Sequence, residues 1–178
     1  MTAISTIYYL CATSRIGTLL IAKDDKGVCA VLIADSVNEV SQLLAERFPH
    51  AERNIIEGSP LGEAMSQLLT WLEQPNEPLA LTLPLAPRGS RFQQQVWQAL
   101  RQIRPGQRMS YSHLAEKLGK PGASRAVASA CAANPLALVI PCHRIVRSDG
   151  SLSGYRWGVA RKQLLLTLEQ EATLLARA

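Results

Sequence analysis

Residues 139–146, VIPCHRIV, set a thiol, an imidazole and a guanidinium side by side inside an apolar run. A lone cysteine in such a run is ordinarily a small core residue, and Cys142 is set apart by its neighbours. Pro141 fixes φ and removes a backbone donor directly before it, so the thiol sits on stiff backbone. His143 can draw off the thiol proton, which would lower the effective pKa of Cys142 and raise its thiolate fraction at neutral pH. The run reads as a buried strand, in which adjacent side chains point to opposite faces, so contact between the two would need a bridging water. Further groups are within reach of the same chemistry: Asn134 at a helix end before Pro135, His113, and Glu169 in the last helix. Cys-His-Asn sets recur on unrelated folds, so a thiol hydrolase built from Cys142, His143 or His113, and Asn134 or Glu169 is one reading.

The elements that would position these groups fall into two halves. Residues 1–90 carry six Lys and Arg against ten Asp and Glu, a net −4, whereas residues 91–178 carry thirteen against four, a net +9. A one-sided positive surface is the footprint of a polyanion partner. The chain changes character at EQPNEPLALTLPLAPRGS (73–90), whose four prolines favour extended backbone. The boundary is placed at Pro87, giving an N-terminal α/β domain over 1–87 and a C-terminal domain over 88–178. In the first, alternating runs at 5–12, 17–23 and 28–34, with DDKG as a turn, predict a small antiparallel sheet. Helices are expected over 37–47 and from Pro60 to Glu73, the latter with Ser59 as N-cap and Pro60 at the first helical position. The fold class is α+β.

The second half is read as mostly helical. Ser90 caps a helix with Phe92, Val96, Leu100 and Ile103 on one face. A short helix with Tyr111, Leu114, Ala115 and Leu118 at helical spacing follows, then a turn at GKPG and a second helix ending before Pro135, a helix-turn-helix pattern. The second helix, GASRAVASACAAN, offers only Arg125 among small residues, whereas readers of base edges present several Arg, Asn or Gln. It suits binding by shape and phosphate contact, in the minor groove. A helix-turn-helix regulator without chemistry, with Cys142 structural, is the second reading. Cys11, Cys29, Cys131 and Cys142 form no CxxC pair and there is no paired-His spacing, so neither metal nor disulfide is expected. No run approaches membrane-spanning length and no secretory signal is legible, which places the protein in the cytoplasm.

The motif PCHRIV, preceded by RAVASACAANP and followed by SGYRWGVARKQLLL, resembles the O6-alkylguanine-DNA alkyltransferases, most nearly their bacterial adaptive-response members. The likeness is dense from about Gly89 to Glu169 and weak before it. It implies DNA repair by direct, irreversible, single-turnover transfer of an alkyl group, such as methyl, from guanine O6 to Cys142, with thymine O4 as a further candidate substrate. In the roles it implies, His143 takes the thiol proton through a water and Glu169 holds the imidazole. Tyr111 donates towards the guanine ring as it leaves, and Asn134 braces the cysteine-bearing turn. Arg125, flanked by Ser124 and Ala126 on the DNA-binding helix, fills the stack vacated by the flipped nucleotide, while Ile145, Tyr155 and Arg156 line the base pocket. The implied partner is double-stranded DNA containing alkylated guanine. No cofactor, metal, membrane or obligatory protein partner is expected, and the chain would act as a monomer. The YRWG segment departs from members with a small residue there and bears on the size of alkyl group accepted.

Overall fold

The DDKG segment organises the first sheet. In the computed structural model, which describes residues 5–58 and 60–178, Oδ1 of Asp24 accepts from the N–H groups of Lys26 (2.9 Å) and Gly27 (3.2 Å), a turn that short acidic side chains favour. Strands β2 (Gly17–Lys23) and β3 (Val28–Ala34) leave this turn antiparallel, and β1 (Thr6–Ser14) pairs antiparallel with β2. The strands stand where the sequence places them, but two features differ from the expectation. β3 is buried at every position and β2 at its central five, so these are continuous apolar runs covered on both faces. The sheet is also mixed, in the order β3-β2-β1-β4, because β4 (Glu52–Ile55) runs parallel to β1. Its sequence, ERNI, carries no apolar alternation, and backbone pairing at an edge gives no residue pattern to read.

Helix α1 (Val37–Arg47) is capped by Ser36, whose Oγ accepts from the Glu39 N–H at 3.2 Å, and it buries Val40 and Leu44. Helix α2 (Leu61–Glu73) buries Leu61, Ala64, Met65, Leu68 and Leu72 at helical spacing. The Pro60 carbonyl accepts from Ala64 N–H at 3.2 Å, so Pro60 sits at the helix boundary rather than at the first helical position. Ser59 lies outside the described residues.

The chain divides into two compact units. The first lies within Met1–Leu72 and takes in Ala80–Arg88 and Pro135–Ala137; the second comprises Glu73–Leu79, Gly89–Asn134 and Leu138–Ala178. In the second unit α3 (Arg91–Leu100) starts at a full capping box between Ser90 and Gln93. Its Trp97 is 2% exposed and donates Nε1–H to the Ala130 carbonyl at 2.9 Å. That bond ties α3 to α5 (Ser124–Ala132), which buries Val127, Ala130 and Cys131. Helix α4 (Tyr111–Lys117) is capped by Ser110 and connects to α5 through Gly119 and Gly122, both at positive φ (69° and 85°), where glycine carries no Cβ penalty. Two short strands, β5 (Met109–Ser110) and β6 (Ile145–Val146), pair in parallel. The long helix α6 (Val159–Ala176) begins after Gly158. Among the described residues, no helix is long and apolar enough to cross a membrane.

The α3–α5 junction is tight enough to test. A Cβ on Gly89 would fall 2.4 Å from the Trp97 ring and 2.8 Å from the capping Gln93 Oε1, and the buried ring is held by its bond to Ala130. Gly89→Ala should therefore lower stability by ~1–3 kcal/mol, read as a lower urea midpoint with an unchanged slope. A wild-type midpoint would show that the ring moves freely.

Candidate active site

The chemistry-bearing run is not a strand. After α5 the chain passes through Leu138, the sole non-glycine residue at positive φ (70°) among the described residues. It then forms a single 3-10 turn over Cys142–Arg144 before entering β6. The run is apolar because almost all of it is buried, and burial alone cannot separate strand from turn by periodicity. The turn matters for direction. Successive side chains on a 3-10 turn are about 120° apart, so His143 and Arg144 can converge on one partner while Cys142 turns elsewhere. In a strand His143 and Arg144 would have faced opposite ways.

That partner is Glu169 of α6, which has no exposed surface. The structure places it fully inside, where Arg144 meets it. Oε1 lies 2.6 Å from His143 Nε2, Arg144 Nε donates to both oxygens at 3.0 Å, and Arg144 Nη2 donates to Oε1 at 2.7 Å. The Gly106 N–H adds a longer bond at 3.4 Å, and Arg144 Nη1 donates to the Ile103 carbonyl. The guanidinium in the apolar run thus answers a buried carboxylate. Glu171, two residues on, is exposed.

Charge in this cluster follows from its contacts. Burial would raise Glu169, but the His143 and Arg144 contacts outweigh it and bring it down to about 2. The Arg144 guanidinium bonds both carboxylate oxygens and favours the ionised form of Glu169. Burial lowers His143 from its ordinary value, although Glu169 opposes the shift. The neutral imidazole then donates Nε2–H to Glu169, which leaves the lone pair on Nδ1. Nδ1 is buried and bonded to none of the described residues.

Cys142 is 5% exposed, and Asn134 holds it directly: Nδ2 donates to Sγ at 3.1 Å and to the Ile140 carbonyl at 2.8 Å. The expected bracing by Asn134 is present as the bond to Ile140, and the bond to sulfur was not foreseen. The expected depression of the thiol pKa is reversed. Burial pushes Cys142 up to about 11, outweighing the Asn134 hydrogen bond and the charges of Lys162 and Arg156, so the thiol is protonated at rest.

The sulfur borders a cavity of about 570 Å³, within the range of small-ligand sites. Of the residues singled out from sequence, Tyr111, Ser124, Arg125, Cys142, Tyr155 and Arg156 line it. Ala126 is exposed and Ile145 is fully buried in β6; neither is among the lining residues. Tyr155 packs edge-on to Trp157 with centroids 5.3 Å apart, and Arg156 lies over the Trp157 ring and donates to the Asn134 carbonyl at 3.4 Å. Sequence reasoning missed Lys162 and Ser153. Lys162 is 1% exposed and donates Nζ–H to Ser153 Oγ at 3.1 Å, and Ser153 bonds the Tyr111 hydroxyl. Lys162 lies two helical turns before Glu169 on the same face of α6, a spacing that could have found it.

Several known proteins are similar to this chain. Residues 91–171 match the family described as the DNA-binding domain of 6-O-methylguanine DNA methyltransferase. The chain is 48% identical over 165 residues to the bifunctional transcriptional activator/DNA repair enzyme Ada of Escherichia coli, covering 93% of this chain but only 46% of that relative. It thus spans about half the length of that protein. It is 38% identical to a methylated-DNA–protein-cysteine methyltransferase of Mycolicibacterium paratuberculosis, covering 92% of this chain and 93% of the relative. The crystal structure of Mycobacterium tuberculosis OGT in complex with DNA superposes with a TM-score of 0.77 at 30% identity, covering 93% of this chain and 94% of that one.

The buried cluster has a pH signature. Glu169 is lower in the folded state, at about 2, than the ordinary value near 4.3 expected unfolded. Its contribution, on the order of 3 kcal/mol, is complete above the unfolded value and is lost as pH falls from about 5 towards 2. Glu169→Gln removes that dependence and leaves Arg144 short of a counter-charge, at a cost of ~3–5 kcal/mol at pH 7. Urea midpoints from pH 7 to 2 check this: the wild type should lose stability on acidification and Glu169→Gln should lose much less. Parallel curves would remove Glu169 from the cluster's electrostatics.

Proposed function

The chain belongs to the O6-methylguanine-DNA methyltransferase family, and we propose on that footing that it repairs double-stranded DNA by moving an alkyl group, methyl above all, from guanine O6 to Cys142 in one irreversible event. The observation that carries the reading is a protonated thiol at the edge of a cavity of about 570 Å³, next in sequence to a neutral imidazole backed by an ionised carboxylate.

A base stacked in a duplex hides its O6, so the nucleotide is first turned out of the helix, at a cost of a few kcal/mol. Arg125 stands at the cavity on a helix of small residues and fills the gap left in the stack. Phosphates are met by the basic second half of the chain and by the first turn of α5, which no side chain caps. Tyr155 and Arg156 enclose the base.

In the chemical step a water on His143 Nδ1 takes the Cys142 proton and passes it to the ring, and Glu169 stabilises the imidazolium. The Asn134 N–H pointing at Sγ steadies the negative charge that forms there. As the S–C bond forms, the C–O6 bond breaks with its electron pair staying on the base, and Tyr111 donates to the departing ring. The product is a thioether, which water does not cleave under mild conditions, so each molecule reacts once. The thiol hydrolase reading fares worse: the acceptor of the imidazole is Glu169, and Asn134 serves the sulfur instead of completing a Cys-His-Asn set. The protein acts in the cytoplasm, as a monomer, without cofactor or metal.

Mixing the protein with duplex DNA methylated at guanine O6 should transfer methyl to a plateau near one per protein, on the peptide containing Cys142. Cys142→Ala should abolish transfer while leaving DNA affinity largely intact, because affinity comes from phosphate contacts. Turnover beyond one, or transfer by Cys142→Ala, would sink the mechanism. Arg125→Ala should slow repair of the duplex far more than reaction with free O6-methylguanine, which needs no extrusion. Equal losses would make Arg125 a pocket residue only.

A further inference from the structure

A methylated guanine is a neutral ring, yet the cavity beside Cys142 carries charge of one sign. The described residues that line it include three arginines, Arg125, Arg147 and Arg156, and no acid. Arg125 stands on α5 and fills the stack, and Arg156 lies over the Trp157 ring and donates to the Asn134 carbonyl. Arg147 has no such task. It is exposed, and its guanidinium hydrogen-bonds to no acceptor among the described residues. The nearest acid in sequence is Asp149. Its Oδ1 accepts from the Ser151 N–H at 2.9 Å and the Ser151 Oγ–H at 2.6 Å, and it feels Arg147 only through space.

The backbone of Arg147, by contrast, is held. Directly after the buried strand β6 it opens a turn in which its N–H donates to the Ser151 carbonyl at 3.0 Å and its carbonyl accepts from the Gly150 N–H at 2.9 Å. Ser148 Oγ bonds Ser112 Oγ at 3.1 Å, which ties the turn to α4. A free cation on a fixed support at the cavity is an arrangement that waits for an anion.

We propose that Arg147 binds a phosphate of the flipped nucleotide itself, so that the cavity takes the lesion as a nucleotide within a strand rather than as a base. The inference rests on the function proposed above and adds a specificity determinant to it. A nucleotide turned into the cavity keeps its 5′ and 3′ phosphates bonded to its sugar, so both arrive there with the base. A guanidinium presents paired N–H donors that match two phosphate oxygens, and the held backbone confines the ordering cost to one side chain. The contact forms only once the nucleotide has left the stack. It therefore favours the extruded state over the stacked one and offsets part of the cost of extrusion. Arg125 and Arg147 divide the work: one fills the gap in the duplex, and the other holds what has left it. The charge of Arg147 also reaches Tyr111 and Lys162. A charge that served those groups alone would act on any substrate, whereas a phosphate contact requires a phosphate.

Single-turnover methyl transfer by wild type and Arg147→Gln should be measured on free O6-methylguanine, on duplex DNA carrying it, and on the same duplex with the phosphate 5′ or 3′ of the lesion replaced by an uncharged methylphosphonate. On the native duplex at saturating protein, Arg147→Gln should be slower by about tenfold or more, the worth of a hydrogen bond to a charged group. On the free base it should stay within about twofold of wild type, which also shows that the variant is folded. One of the two methylphosphonates should slow the wild type and cost Arg147→Gln little further, because the contact is already gone. A wild-type rate on the duplex, equal slowing on the free base, or full multiplicative loss with both methylphosphonates would overturn the inference. So would a loss that vanishes at saturating protein, which would make Arg147 an ordinary contact to the duplex. Absence of any transfer by the wild type would instead overturn the underlying function, and this inference with it.

Discussion

A carboxylate with no contact with water organises the second unit. Glu169 can remain ionised at full burial only because Arg144 grips both of its oxygens and His143 and the Gly106 N–H take up further acceptor positions. Those contacts fix α6 against the Cys142–Arg144 turn and against the loop that carries Ile103 and Gly106. They also fix chemistry. With Nε2 committed to Glu169, the basic nitrogen of His143 is Nδ1. Burial leaves the imidazole neutral and able to accept a proton, and the Arg144 charge adds to that effect. The arginine is therefore part of the reason that the histidine is a base.

The thiol is tuned in the opposite sense from a constitutively reactive cysteine. Such cysteines are held as thiolates by exposed, electropositive surroundings. Cys142 is buried and protonated, with the Asn134 amide donating to its sulfur and the charges of Lys162 and Arg156 too weak to offset burial. A buried, protonated thiol of this kind is quiet towards solvent-borne electrophiles and needs a nearby base in order to react.

The cavity joins two helices of different purpose. α5 contributes the exposed Arg125 on one rim and the buried Cys131 on the wall, while α6 contributes Lys162 behind the wall and Glu169 two turns on. Small residues on α5 keep its outer surface low, and Trp97, bonded to the Ala130 carbonyl, holds its inner side in place. The cavity wall therefore rests on a helix that is anchored from its inner side.

Much was legible in the residues alone, wherever a local pattern carries a local cause. The DDKG turn, the Ser90 cap, the helices at 37–47 and after Ser90, the glycine turn between α4 and α5, and the motif around Cys142 are written in residue types whose physics acts over a few positions. Tertiary structure decided what depends on distant partners. β4 exists only as the neighbour of β1. The run around Cys142 became a turn because its burial is set by elements far away in sequence, and apolarity looks the same in either conformation. Partner-dependent charge went the same way: Arg144 reads as an anomaly until Glu169 meets it, the Cys142 pKa rises because desolvation outweighs its polar neighbours, and Lys162 passes for a surface lysine until α6 is docked. Electrostatic energy depends on separation and solvent access in three dimensions, and a chain's order of residues specifies neither until it has folded.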